Sequence, residues 1–453
     1  MTLRRDQERL AHLAMNRFGL GAKPGGIARI RDNPKAALKR ELEKTGIADI
    51  TNSTLPSYVQ ACQVVHTDFN AEHKLKEKEL TARFNQHLKP EIGFVERLVL
   101  FFSNHFSMSI LKDGAIRATI GQLERDVIRK NVLGSFNRML LGVMKHPAMI
   151  RYLDNEDSIG PNSTSGINWG VGLNHNLARE ILELHTLGVG GGYTEDDIDG
   201  LAKIITGWSF VRGWEAAGKY NGGNERNRGQ FIYRKDWHEP GAQRVLGKLY
   251  GGSGVAQGES VLSDLARHPS TAQFIAFKLV HHFITDDPTP AMVEPLADAF
   301  KSSHGDLKAV AEALIDLPEA WTLPMTKIRT PYELQIAQFR ALGRIYEADE
   351  RWPFYSSLNT LRNIPWERVT PDGYPDETQY WEGPDAMRIR METAPINSYS
   401  LLFKGPFKTA PAVLANQLFA SAISKASLQA IANATEQYVG IATLFMIPEF
   451  QRR

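Results

Sequence analysis

The sequence predicts an all-α fold, a large multi-helix globular body with one minor β-hairpin. Three observations carry that expectation. Apolar residues recur at three- and four-residue spacing through most of the chain. The periodic stretches close on Gly or Pro, the residues that stop helices. Strand-like alternation is confined to QFIYR at 230–234 and RVLGKLY at 244–250.

Taken in order, Leu10, Leu13, Ala14 and Phe18 form the first amphipathic stretch, which Gly19 and Gly21 end. Residues 56–88 read as one long charged helix closed by Pro90, its charges a solvated face. Next, Phe94, Leu98, Phe101 and Phe102 make an apolar side broad enough for burial on more than one face. Further helices fill 114–151, with breaks at Gly134 and Pro147. The polar, Gly-rich stretch 154–172 reads as a loop, of the length that is functional or disordered.

A helix over about 174–187 follows and stops at Gly188. Thr194 and Asp197 have capping-box spacing and start a helix to about Thr206. Residues 213–230 offer too little apolar surface to pack and read as a mobile excursion. The two alternating stretches after it are expected to pair as a hairpin around DWHEPGAQ. Helices return from 258 to about 345, residues 350–385 read as irregular, and a last helical set runs to the C-terminus. The whole reads as one helical unit over 1–453, with sub-parts 1–155, 156–257 and 258–453.

Composition narrows the function classes. A chain that is 42% hydrophobic and 23% charged is globular rather than disordered. Its 53 basic and 51 acidic residues leave a net charge of +2, so no field draws nucleic acid or an anionic membrane. The single cysteine, Cys62, excludes an intrachain disulfide and any Cys-based zinc or iron–sulfur site; it reads as a small packing residue in a helix. No apolar run approaches the roughly 18 residues of a membrane span, and the N-terminus has no secretory core. The expectation is a soluble cytoplasmic protein.

The segment NHNLAREILELHTLGVGGGYTEDD at 174–197 is the richest in chemistry. Glu180 and Glu183 are three apart and share a helix face, the spacing at which two carboxylates reach one cation or one proton. His185 lies about 200° round the helix from Glu183 and is placed to cap last-turn carbonyls instead. Ordinary ion pairing of Arg179, Glu180 and Glu183 is the competing reading. His105 ends an apolar helix beside aromatics, and His238 follows the excursion at an expected hairpin tip; either is a ligand candidate or a bland residue. His281 and His282 are adjacent, point to different sides of a helix, and read as structural. Phosphate loops, nucleophile elbows and zinc helices have no match.

Several segments together match one pattern: NRFGLGAKPGG at 16–26, ERLVLFFSNHF at 96–106, the 174–197 segment, WHEPGAQRVLG at 237–247, HPSTAQFIAFKLVHHFITDDPTP at 268–290 and PDGYP at 371–375. Over nearly its whole length the chain resembles the bacterial family called domain of unknown function 1800. The resemblance marks Asn176 to Gly188, His105, and His238 with Gly241 as signature positions. Family members often carry His-x-His before the Phe, where this chain has Ser103-Asn104-His105, and commonly Glu where it has His175.

With the resemblance added, the leading expectation is a metal- or haem-dependent enzyme, redox or oxygenase chemistry ahead of hydrolysis. His105, Glu180 and His238 would converge to hold a divalent metal or haem, with Asn176 also at the cofactor. Glu180, Glu183, His185 and Arg179 would be the catalytic candidates, acting on a small-molecule or peptide substrate. The competing expectation is a non-catalytic helical binding or assembly protein, in which the same polar residues knit loops 154–172 and 188–194 to the core. A cofactor-free hydrolase is the third.

Overall fold

Side-chain caps set many of the helix starts. Thr194 Oγ1 accepts from the Asp197 amide (3.3 Å) while Asp197 Oδ2 accepts from the Thr194 amide (2.9 Å), opening the helix Glu195–Ile204 as its spacing predicts. Thr330 and Glu333 open the helix Pro331–Leu342 in the same way, with Pro331 at its first position. The computed structural model describes every residue except 1, 69, 171, 220–221, 253, 348–350 and 406. Among the described residues the chain is mainly helical, with two small two-stranded sheets. None of the described helices is long and apolar enough to cross a membrane.

One apolar cluster runs from Ala11 to Phe450 and draws side chains from every region between. The helix Phe94–His105 lies deep in it, with even Glu96 and Arg97 buried, as its broad apolar side predicts. Three helix pairs pack together: Ala71–Leu88 on Gly114–Leu123, Pro269–Phe283 on Pro290–Ser302, and Pro384–Phe403 on Gln437–Met446.

Five local expectations are corrected. Residues 56–88 form two helices, Tyr58–Thr67 and Ala71–Leu88, and between them Asp68 Oδ1 accepts from the Asn70 amide (2.9 Å), a side-chain bond that competes with the helix; position 69 lies outside the described residues. The stretch 154–172 holds a short 3₁₀ turn, Asn155–Asp157, and a helix, Thr164–Trp169, capped by Ser163; position 171 lies outside the described residues. Residues 350–385 include the helices Arg351–Thr360 and Thr378–Glu382, with position 350 outside the described residues.

The hairpin also pairs differently. Strand β1 (Trp208–Phe210) pairs antiparallel with β2 (Phe231–Tyr233), and β3 (Gln243–Val245) with β4 (Lys248–Tyr250). RVLGKLY is therefore a hairpin by itself: Leu246 and Gly247 both have positive φ (50° and 75°), the tight two-residue turn that matches strand twist.

The excursion 213–230 packs. It contains the helix Gly213–Gly218, whose buried Glu215 receives both terminal nitrogens of Arg234 (2.7 and 2.8 Å). Arg228 is buried and pairs with Glu225, and the Gly229 amide donates to Val211 O (2.9 Å). Counting apolar residues misses this, because the segment is held by charges that satisfy one another. Positions 220–221 lie outside the described residues.

Candidate functional site

The helix Asn176–Glu180 continues into a π turn, Ile181–His185, whose wider winding carries His185 into the interior. Thr186 Oγ1 donates to Ile181 O (2.6 Å) and the Gly188 amide to Leu182 O (3.1 Å), closing the end. Gly188 sits at φ +82° with the Phe274 ring where a Cβ would stand 2.7 Å away, so both its backbone and its surroundings demand glycine.

His185 Nδ1–H donates to the backbone carbonyl of His105 (3.1 Å), and His105 Nε2–H donates to the backbone carbonyl of His185 (3.2 Å). A carbonyl can only accept, so both tautomers are set. His105 Nδ1 accepts from Lys278 Nζ (3.1 Å). Burial pushes His105 well below its ordinary range and His185 down to about 3, so both rings are neutral near pH 7. Burial likewise lowers Lys278 to about 8. His185 does cap last-turn carbonyls, though those of the helix Phe94–His105 rather than its own.

Arg179 bonds Glu183 (3.3 Å) and both carboxylate oxygens of Glu195 (3.0 and 2.8 Å) on the surface. Glu180 is half-buried, and its carboxyl is raised by burial first and then by Glu183 and Asp372. Asn176 is exposed at the helix start, its amide donating to Asn174 Oδ1 (2.8 Å).

His238 is buried rather than at an exposed tip. Its Nδ1–H donates to Thr206 O (3.2 Å), and the next amide, of Glu239, donates to Thr206 Oγ1 (2.8 Å). The buried Glu239 carboxylate accepts from the Asn162 amide (2.9 Å) and side chain (2.6 Å), and Gly160 N donates to Trp237 O (2.8 Å). This segment thus knits 160–162 to 206.

The ligand set drawn from the sequence does not assemble. Among the described residues no three His, Cys, Asp or Glu side chains are placed to hold one metal ion, so His105, Glu180 and His238 do not form a joint centre. Both ring nitrogens of His105 are already engaged.

Sequence reasoning passed over a second cluster. His282 Nδ1–H donates to Asp376 Oδ1 (2.8 Å), and its Nε2 accepts from Arg97 (3.1 Å). Glu333 pairs with Arg97 (3.4 Å) and Arg453 (3.0 Å). A cavity of about 90 Å³ adjoins His282, Glu333, Asp376, Tyr374 and Asn104, space for a few waters. The HHF and PDGYP segments were the available signal, but their partners lie far apart in the chain.

A larger opening lies beside the His238 segment. This cleft, about 790 Å³, is walled by Asp157, Trp169, Arg212, Trp214 and Trp237 among others. Trp169 is 60% and Trp214 58% exposed. Trp237 is held between neighbours: Arg234 lies 4.8 Å and Arg212 5.7 Å from its ring centre, and Trp169 meets it edge-on at 6.1 Å.

A family model described as "Protein of unknown function (DUF1800)" matches residues 13–452. The chain belongs to that family. No curated protein matches this DUF1800 chain, and no solved structure does. In this DUF1800 protein His105 and His185 join the ends of two helices, and the segment at 237–239 ties 160–162 to 206 beside the cleft.

Proposed function

We propose that this DUF1800 protein is a non-catalytic helical binding protein whose ligand, a small molecule or short polymer, enters the cleft between Trp169 and Trp214. The observation that carries the reading is the contrast between two sets of residues. The signature histidines lie in interior hydrogen bonds, while two tryptophans stay largely in water on the walls of an opening sized for a ligand. Leaving such apolar surface exposed costs roughly 25 cal/mol per Å², a cost that ligand contact offsets. Residence in the cytoplasm belongs to the same proposal and is checked by fractionation.

Tryptophan emission of the full chain, titrated with a panel of small neutral and charged ligands, tests the reading. A saturable change lost in Trp169→Ala supports it.

The metal- or haem-dependent enzyme keeps one supporting observation. Nε2 of His185 and Nε2 of His238 are each buried without a hydrogen-bond partner among the described residues. Visible absorption and metal analysis of purified protein decide it. A haem band or stoichiometric metal that disappears in His185→Ala or His238→Ala, with no Trp169-dependent ligand, would replace the binding reading.

A further inference from the structure

We infer that the cleft takes a neutral oligosaccharide, an inference that rests on the binding reading above. The first ground is the aromatic surface. Trp169 and Trp214 line the cleft and are more than half exposed, and a pyranose ring presents flat patches of C–H that pack on aromatic surface while its rim of hydroxyls stays polar.

The second ground is charge. Asp157, Glu215 and Asp236 line the cleft together with Arg212, Arg234 and Lys235, three of each sign. Arg212 is paired with Asp157, and Arg234 with Glu215. The sum is zero, so a polyanion such as nucleic acid or an acidic glycan gains no net attraction, and neither does a cation.

The third ground separates two neutral ligands that both favour aromatic grooves. A proline-rich peptide supplies backbone carbonyls, which accept, and lacks the N–H donors of other residues. Asp236 can only accept and would go unanswered. Sugar hydroxyls both donate and accept, so they can donate to the Asp236 carboxylate while accepting from Lys235. The fourth ground is order. Trp237 is gripped by two guanidinium groups and by the edge of Trp169, and Gly160 N holds its carbonyl, so the floor is set before a ligand arrives.

The test uses the full-length chain with cellohexaose, maltohexaose and mannohexaose as neutral probes, oligogalacturonate as a charged one and decaproline as a peptide. Binding is read by calorimetry and tryptophan emission. At least one neutral hexaose is expected to bind with a Kd at or below about 1 mM, and Trp169→Ala and Trp214→Ala each to weaken it about tenfold or more. Asp236→Asn, which leaves the aromatic walls intact, should weaken it as well, with circular dichroism confirming that all three variants fold. Trp169-dependent binding of decaproline or oligogalacturonate, with no neutral hexaose bound, overturns the ligand class and leaves the binding reading standing. No binding by any probe overturns the inference. Accumulation of new reducing ends from a bound hexaose keeps the ligand class and overturns the non-catalytic reading.

Discussion

Lowering the pH from about 7.5 to about 5.5 should unfold this protein through its interior histidines. Seven are buried, and the six that carry the effect are His12, His87, His105, His146, His185 and His282. Burial holds His12, His87 and His282 at about 4, His146 and His185 at about 3, and His105 well below its usual range. All six are neutral in the folded chain near pH 6, whereas the unfolded chain takes up protons from about pH 6.5 downward. The unfolded state therefore binds more protons in this window, and stability that is fully present above about pH 6.5 is lost as the pH falls. Each ring contributes about 1.4 kcal/mol one unit below 6.5, so six contribute about 8 kcal/mol at about pH 5.5. That is comparable to the whole stability of an ordinary domain, about 5–15 kcal/mol. Glu96 and Glu333, held at about 2, extend the loss in the same direction at lower pH. The assay is urea unfolding at the two pH values, with proton uptake measured by calorimetry in two buffers of different ionisation enthalpy. A midpoint that does not move, or uptake near zero at about pH 5.5, would refute the reasoning.

Three further substitutions read the 176–185 helix and the packed excursion. Leu182 is fully buried, so Leu182→Ala should cost about 2–5 kcal/mol. Glu180→Gln should leave the melting temperature unchanged or higher, because a raised carboxyl marks a charge that folding disfavours; thermal unfolding of both variants side by side checks the contrast. Glu215→Ala strands the Arg234 guanidinium and should cost about 3–5 kcal/mol. Limited proteolysis should then cut 213–219 rapidly while the parent resists, and rapid cutting of the parent would show that the charge pairs do not hold the segment.

The helices were legible because their signals are local: apolar spacing, Gly and Pro stops, and the Thr194 and Asp197 cap all lie within a turn or two of what they determine. Pairing was less so. Leu246 occupies a left-handed position normally given to Gly, Asn or Asp, so the tight hairpin inside RVLGKLY carried a weak signal. The π turn at Ile181–His185 adds a residue to one winding, and no propensity announces that shift. His282 and Asp376, or Trp169, Trp214 and Trp237, meet only when distant segments pack, and a single sequence gives no register between them. Family resemblance marked segments, while the jobs of their residues depended on these non-local meetings.

The crossed bonds between His105 and His185 have a consequence for descent. Each imidazole donates to a peptide carbonyl, and any amino acid at the partner position supplies that carbonyl. A lineage that loses one histidine therefore keeps the other half of the bridge. Two ligands of one metal would behave oppositely, since the first loss would empty the site and release the second from selection. The bridge can thus be dismantled, or rebuilt, one ordinary mutation at a time.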